Sequence, residues 1–572
     1  MSTSLVSRLV LVLSLPVAAW AAGPAGQPRP VNGEPLADEA DLILYGGRIL
    51  TMLEPEPVPA PTALASRQGR LVWVGDDAGA FALRGPRTQV IDLQGAVALP
   101  GLVDGHAHLY GLGKALSEID LVGARSAAEC VARAVATAAS VPDAWLLGRG
   151  WDQNLWPNRA WPSRELLDAA LPGRAVLLRR VDGHAAWASS EALRRAGITA
   201  ATPEPAGGSI LRDEAGEPTG VLIDRASELV QAVIPEPSAA AVRRRVLLAV
   251  EHCLRLGLVG VHEAGTPWSR VELYRELAAG GELGLRLVCY LDDDAQTIAA
   301  GLAHGPFATT DLMLNVPGIK LYADGALGSR GALLFADYAD DPGNRGLQLT
   351  ATEQLRTLCE QAARAGFQVA THAIGDAANH LMLDVYAAVM GERLAAARWR
   401  IEHAQILAPD DLPRFAQLGV IASMQPIHCT SDMDWVVDRL GPDRVRGAYA
   451  WRSLLASGAV LSFGTDFPVE PANPLFGLYA ARTRMHPDGT PPGGWQADQC
   501  LDGRAAVRAY TQAPAYAAFL DEETGVLAPG RLADITVLSG DPTLVSPPHL
   551  LDLRPLYTIV HGVVRWQAVV SD

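Results

Sequence analysis

Cysteine is scarce in this chain. Six occur in 572 residues, at 130, 253, 289, 359, 429 and 500, with no C-x-x-C pair among them. That is too few for a disulfide-built scaffold of this length, and buried, unpaired thiols are the expectation. Positive charge is also in deficit. Lys and Arg total 47 against 63 Asp and Glu, a net charge of -16. A nucleic-acid partner would need a basic face, so that class of function is excluded. The surplus of surface carboxylates serves solubility. A long hydrophobic run occurs once, from Leu9 to Ala19, too short to span a bilayer. No later stretch reads as a transmembrane helix, and no phosphate- or nucleotide-anchoring motif appears.

The single apolar run has the marks of a secretory signal. Arg8 supplies the positive start, and Ala19-Trp20-Ala21 is an A-x-A cleavage site followed by a Gly/Pro-rich stretch. Residues 1–21 are therefore expected to be removed. The mature protein is expected to be periplasmic or secreted, with no membrane attachment after cleavage.

What the chain does contain is ample core, at 49% hydrophobic residues, and enough length for more than one domain. Residues 41–96 and 525–570 carry short strand-and-turn patterns, expected to pair as one small β-sandwich. Between them, apolar strands alternate with helical stretches, the pattern of βα units on a parallel sheet. Eight strands are expected: β1 at 97–108, β2 at 258–264, β3 at 285–291, β4 at 316–324, β5 at 368–373, β6 at 399–404, β7 at 420–425 and β8 at 460–465. The fold class is thus α/β, a (β/α)8 TIM barrel over 97–110 and 236–515. The interval between β1 and β2 is too long for a βα loop. Residues 111–235 must then hold an inserted lid or substrate subdomain, where Trp145, Trp151, Trp156, Trp161 and Trp187 cluster.

Five strand ends carry metal-binding residue types: Asp104-Gly-His106-Ala-His108, Lys320-Leu-Tyr-Ala-Asp324, Thr371-His372-Ala, Glu402-His403-Ala-Gln405 and Gly464-Thr-Asp466. Alternation along a strand puts His106 and His108 on one face, able to grip one ion together. Imidazole and carboxylate suit zinc and its neighbours. Lys320 cannot ligate as an ammonium. Its neutral amine could capture CO2 as a carbamate whose two oxygens bridge two cations, and a buried strand end favours the neutral amine. Without that, Lys320 would pair with Asp324.

With these segments in this order, the chain resembles the amidohydrolase superfamily, and more narrowly its amidohydrolase-3 or YtcJ-like branch, which includes N-substituted formamide deformylases. The narrower resemblance rests on Ile319-Lys320-Leu-Tyr-Ala-Asp324-Gly-Ala-Leu-Gly-Ser329-Arg330, on Asp182-Gly-His184-Ala-Ala-Trp187 and on Arg149-Gly-Trp151-Asp152. It implies two divalent ions, first of all Zn2+, held by His106, His108, Lys320, His372, His403 and Asp466. It implies cleavage of a C–N bond in a small, N-substituted amide. A hydroxide bridging the metals would attack, with Asp466 as general base. His184 would be a catalytic or substrate-facing group, and Arg149, Trp151, Asp324 and Arg330 would contact substrate. A homodimer is left open. His262 reads as a core histidine or a group behind the metal ligands, while His252, His304, His380, His428, His486, His549 and His561 enter no constellation. A mononuclear deaminase would share the histidines and Asp466 but not need Lys320. A non-catalytic binding or regulatory protein would require lost ligands, and none is lost.

Overall fold

The computed structural model describes residues 39–569 apart from 140, 142 and 143, so the signal segment expected over 1–21 lies outside the described residues. Eight parallel strands form one sheet in the order β8-β7-β6-β5-β4-β3-β2-β1. They are β1 Leu102–Ala107, β2 Leu258–Thr266, β3 Arg286–Leu291, β4 Leu314–Tyr322, β5 Gln368–Ala373, β6 Arg400–His403, β7 Ile421–Met424 and β8 Leu461–Phe463. Strands covered on both faces read as apolar runs rather than alternating ones, and β3, Arg-Leu-Val-Cys-Tyr-Leu, is buried at every position.

The ring closes where the last strand meets the first. Asp466 N–H donates to the His106 carbonyl at 2.8 Å and His108 N–H to the Phe467 carbonyl at 2.8 Å. The buried Asp104 carboxylate accepts from the Thr465 hydroxyl at 2.7 Å and from its amide. Close approach here demands glycine: a Cβ at Gly464 would sit 2.4 Å from His106 N, and one at Gly105 2.7 Å from the Phe463 carbonyl oxygen.

The outer helices follow the 3.6-residue period. In Thr352–Ala365 the buried positions Leu355, Cys359 and Ala362 form one stripe, and Gly366 ends the helix in the left-handed region at φ 80°. Burying a leucine such as Leu355 contributes roughly 2 kcal/mol. Among the described residues no helix is long and apolar enough to cross a membrane.

The segment expected as one strand over 97–108 is two. Val97–Pro100 pairs antiparallel with Ile535–Leu538 in a separate five-stranded sheet, and the chain turns at Gly101 before β1 begins. A Cβ at Gly101 would lie 2.2 Å from Val259 Cγ2, so only glycine lets this corner approach β2. The five-stranded sheet also holds Pro555–Val560 and Val563–Gln567, while Leu42–Tyr45, Ala63–Arg67, Arg70–Gly75 and Gln89–Asp92 form a four-stranded one. Leu42, Leu44 and Leu64 from the second pack against Ala98, Ile535 and Val537 of the first, in one core built from both ends of the chain.

The segment between β1 and β2 carries its own six-stranded mixed sheet, with Trp145–Trp151, Ala175–Arg180 and Ala185–Ala188 at its centre. Separate apolar clusters form around Trp151 and Trp187 and around Trp145 and Leu177.

Candidate metal centre

The strand ends converge as ligand-bearing elements. Asp466 follows β8 and stands between two imidazole groups, with its Oδ1 3.1 Å from His108 Nε2 and 3.6 Å from His106 Nε2. Its Oδ2 lies 3.7 Å from His428 Nε2. The His403 ring sits 4.9 Å from that of His106 and 4.5 Å from that of His372, and it stacks on His428 at 6.0 Å. Two triads have ligand atoms close enough to share an ion, His106–His108–Asp466 and His403–His428–Asp466.

Backbone strain helps bring them together. His403 and Asp466 hold φ of 72° and 62°, a region that non-glycine residues occupy at a cost of order 1–3 kcal/mol. The turn at His403 breaks the alternation of β6, so Glu402 and His403 both reach His106.

Around this shell, carboxylate and amide groups fix the imidazoles. His106 Nδ1 bonds Glu402 Oε2 at 2.5 Å, and His403 Nδ1 lies 2.8 Å from Gln425 Oε1. Each leaves its Nε2 for a cation, the arrangement in which outer partners orient a metal-binding histidine. Glu402 is itself held by the wholly buried Arg400, whose guanidinium also donates to Ser423 Oγ, Tyr290 Oη and the Gly105 carbonyl. Burial, opposed by the charges of Glu402 and Asp466, still leaves the His106 imidazole below its ordinary pKa. Burial, then the neighbouring His372 and His106, push His403 well below. Both are therefore neutral, the form that binds metal. Burial alone would raise the Asp466 pKa, but the hydrogen bond from the close His108 outweighs it and holds the carboxyl ionised.

The donor set fits a divalent cation. His372 Nε2 and His428 Nε2 are buried with no hydrogen-bond partner, and Asp466 Oδ1 faces the Nε2 atoms of His106 and His108. An unsatisfied buried polar group costs about 1–3 kcal/mol, so a cluster of them marks a place shaped for something that would engage them. Lys320 adds to this. It is buried, with its Nζ 3.9 Å from the centre of the Tyr322 ring and no carboxylate within 4 Å among the described residues. Burial, against the opposing charges of Glu402, Asp466 and Asp293, brings its pKa down to about 8.

Several positions differ from the sequence expectation. Asp324 does not pair with Lys320. It is wholly buried and accepts the amide N–H groups of Leu333, Ile374 and Gly375, because it lies past the end of β4 under the β5 loop. Trp151 offers no surface to a substrate: it is fully buried and donates its indole N–H to the Leu178 carbonyl inside the inserted sheet. Arg330 is engaged with Asp340 in a two-point ion pair. Arg149 is exposed on the inserted strand Trp145–Trp151. The His184 side chain is 76% exposed, and its ion-pair partner is Asp224 at 2.8 Å, not a member of the cluster. His262 is buried against Arg400 Nη1 at 3.0 Å, behind the ligands.

Two cluster residues were passed over. His428 lies on the helix Pro426–Asp432 directly after β7, and its place beyond a strand's C-terminal end was the available signal. Glu402 stood inside a recognised segment, but nothing in the sequence says that it turns inward beside His403.

A parallel barrel bearing an imidazole, carboxylate and lysine cluster at the C-terminal ends of its strands has the architecture of a metal-dependent hydrolase. The amidohydrolase family pattern matches residues 89–565, and the chain belongs to that family. It is 34% identical over 542 residues to "Putative amidohydrolase YtcJ" of Bacillus subtilis, covering 92% of this chain and 99% of that one. It is 27% identical over 521 residues to the N-substituted formamide deformylase of Arthrobacter pascens, covering 87% and 94%. The crystal structure of an uncharacterized metal-dependent hydrolase from Pyrococcus horikoshii superposes with a TM-score of 0.71 at 31% identity, covering 89% of this chain and 99% of that one. The chain is thus an amidohydrolase-type enzyme with a metal-binding TIM barrel.

Proposed function

We propose that this enzyme hydrolyses the C–N bond of a small N-substituted amide, releasing a carboxylic acid and an amine. The observation that carries the reading is the Asp466 carboxylate, held between the two histidine groups with imidazole nitrogens facing both its oxygens. His106, His108, His372, His403, Asp466 and Lys320 are the proposed holders of two divalent ions, zinc first, with His428 at hand beside Asp466. When bound, such ions supply Lewis acidity toward the carbonyl oxygen and lower the pKa of water from about 15.7 toward ~7. Asp466 takes the proton from the attacking water and passes it to the departing nitrogen, so that the amine leaves neutral. Glu402 and Gln425 keep His106 and His403 oriented throughout. The Lys320 amine, neutral in part near pH 8, attacks CO2, loses a proton and becomes a carbamate.

The test is turnover of N-formyl and N-acyl amines by protein of measured metal content, with Asp466→Asn alongside. We expect the substitution to lower kcat by at least ~10²-fold. Undiminished turnover with metal still bound would remove Asp466 from the proton path. Release of ammonia from a heterocycle, with one ion per chain and no amide turnover, would favour the deaminase reading. The leader pattern supports export, and N-terminal sequencing of the exported protein is expected to begin after Ala21. A mature chain starting at Met1 would overturn that part.

A further inference from the structure

A cavity of about 760 Å³ lies between the inserted sheet and the helices Leu109–Ser117 and Ala239–Arg255, and no metal-cluster residue lines it. Four cations do: Lys114, Arg179, Arg245 and Arg270, against two carboxylates, Glu118 and Glu236. The chain as a whole carries a net charge of -16. It has only two lysines; one is Lys320, and the other, Lys114, stands here. None of the four forms an ion pair with an acid among the described residues, although arginines elsewhere are commonly paired, as in Arg286–Asp534 and Arg398–Asp521.

Two of these charges are gathered by a neutral group. The Arg270 guanidinium lies 3.5 Å from the centre of the Tyr110 ring, and Arg245 lies 5.9 Å from it while donating to the Tyr110 hydroxyl at 2.9 Å. Arg245 Nε is buried with no partner. Cation–π contact holds the guanidinium groups in place without neutralising them. The buried Glu263, which feels the Arg270 charge, and the lining Glu118 and Glu236 offset part of their mutual repulsion, and an anion would relieve the rest. Ser238, the N-cap of the helix Ala239–Arg255, lines the same space, so the positive end of that helix adds to the field. Trp145, Leu147 and Leu177 supply an apolar wall opposite. The volume falls in the range of small-molecule sites, roughly 300–1,000 Å³.

We propose that this cavity binds a small organic anion, with a carboxylate or phosphate head and an apolar body, at a site separate from the metal centre. The inference does not depend on the amide-hydrolase reading.

Titration calorimetry on the metal-loaded enzyme tests it, with benzoate, phenyl phosphate and the neutral benzamide as probes. We expect at least one of the two anions to bind with Kd at or below about 1 mM, and benzamide to bind far more weakly. The two anion arms tell a carboxylate site from a phosphate site. Lys114→Gln and Arg179→Gln, both exposed side chains, should each weaken binding by about ten-fold, while metal content and basal turnover stay unchanged. Asp466→Asn should leave the anion affinity unaltered. Equal affinity for benzamide, or no saturable binding of either anion, would overturn the proposal. So would binding that survives Lys114→Gln and Arg179→Gln but is lost in Asp466→Asn, since that places the anion on the metal.

Discussion

The Glu402 carboxylate stands between a guanidinium and an imidazole, and each depends on it in a different way. Arg400 is wholly buried and takes its counter-charge from Glu402, while His106 takes its Nδ1–H acceptor. Removing one member of a buried pair leaves an uncompensated charge, at a cost of about 3–5 kcal/mol. Glu402→Gln keeps the size and loses the charge. We expect an earlier urea midpoint for the metal-free protein, and a metal affinity reduced about 10- to 100-fold because His106 is no longer oriented. An unchanged midpoint with unchanged metal affinity would contradict the bridge. Lys320 makes the complementary case. It is a buried lysine with no carboxylate partner among the described residues, in a protein that places arginine almost everywhere else. Lys320→Ala is expected to lower the metal content measured by mass spectrometry, with partial recovery in short carboxylic acids. If Lys320→Ala kept two ions per chain, the carbamate assignment would fall.

At the scale of elements, the seam between β1 and β8 fixes the site, because His106 and Asp466 exchange backbone contact there. Gly464→Ala puts a methyl group 2.4 Å from His106 N, and that neighbour is backbone, which cannot move alone. Overpacking of this kind costs roughly 1–3 kcal/mol and separates two ligands at once. Leu355→Ala in the outer helix costs about 2–5 kcal/mol through its cavity but touches no ligand-bearing strand. We therefore expect Gly464→Ala to lose metal and kcat, and Leu355→Ala to lower Tm with kcat retained. The reverse pattern would separate the seam from function. The barrel was readable in the sequence because strands covered on both faces are apolar runs, and because their C-terminal ends carried the ligating residues in chain order. The break at Gly101 was marked only by the turn-forming pair Pro100-Gly101 between two apolar stretches, and the closeness of its corner is set by Val259, far along the chain. His428 was hidden for a related reason. It sits on a helix, and only the fold brings that helix over Asp466. The resemblance put Trp151 against substrate, but Trp151 and Trp187 are consumed by that subdomain's own core.

At the scale of the whole molecule, the C-terminal strands are tied to the barrel's lower rim. Arg286 at the start of β3 pairs with the buried Asp534, the Thr536 hydroxyl donates to the Gly257 carbonyl, and that of Thr558 to the Leu254 carbonyl. These links hold the N-terminal ends of the strands, opposite the cluster. The C-terminal ends are held differently. There, β1, β5, β6 and β8 meet through imidazole and carboxylate groups that face one another with buried polar atoms unpartnered. A cation bound between them joins segments separated by most of the chain, and the unfolded chain has no such site. Binding to the folded state alone adds about 4 kcal/mol when free metal stands near a thousand times Kd. For a chain of this length that is a few degrees in Tm. We expect a chelator to lower Tm by that order and added zinc to restore it. Arg286→Gln should lower Tm in the presence and absence of chelator alike, because its link lies at the far end. If chelation left Tm unchanged while metal analysis showed the ions gone, the cluster would not be a link between strands, and the unpartnered atoms would need another explanation.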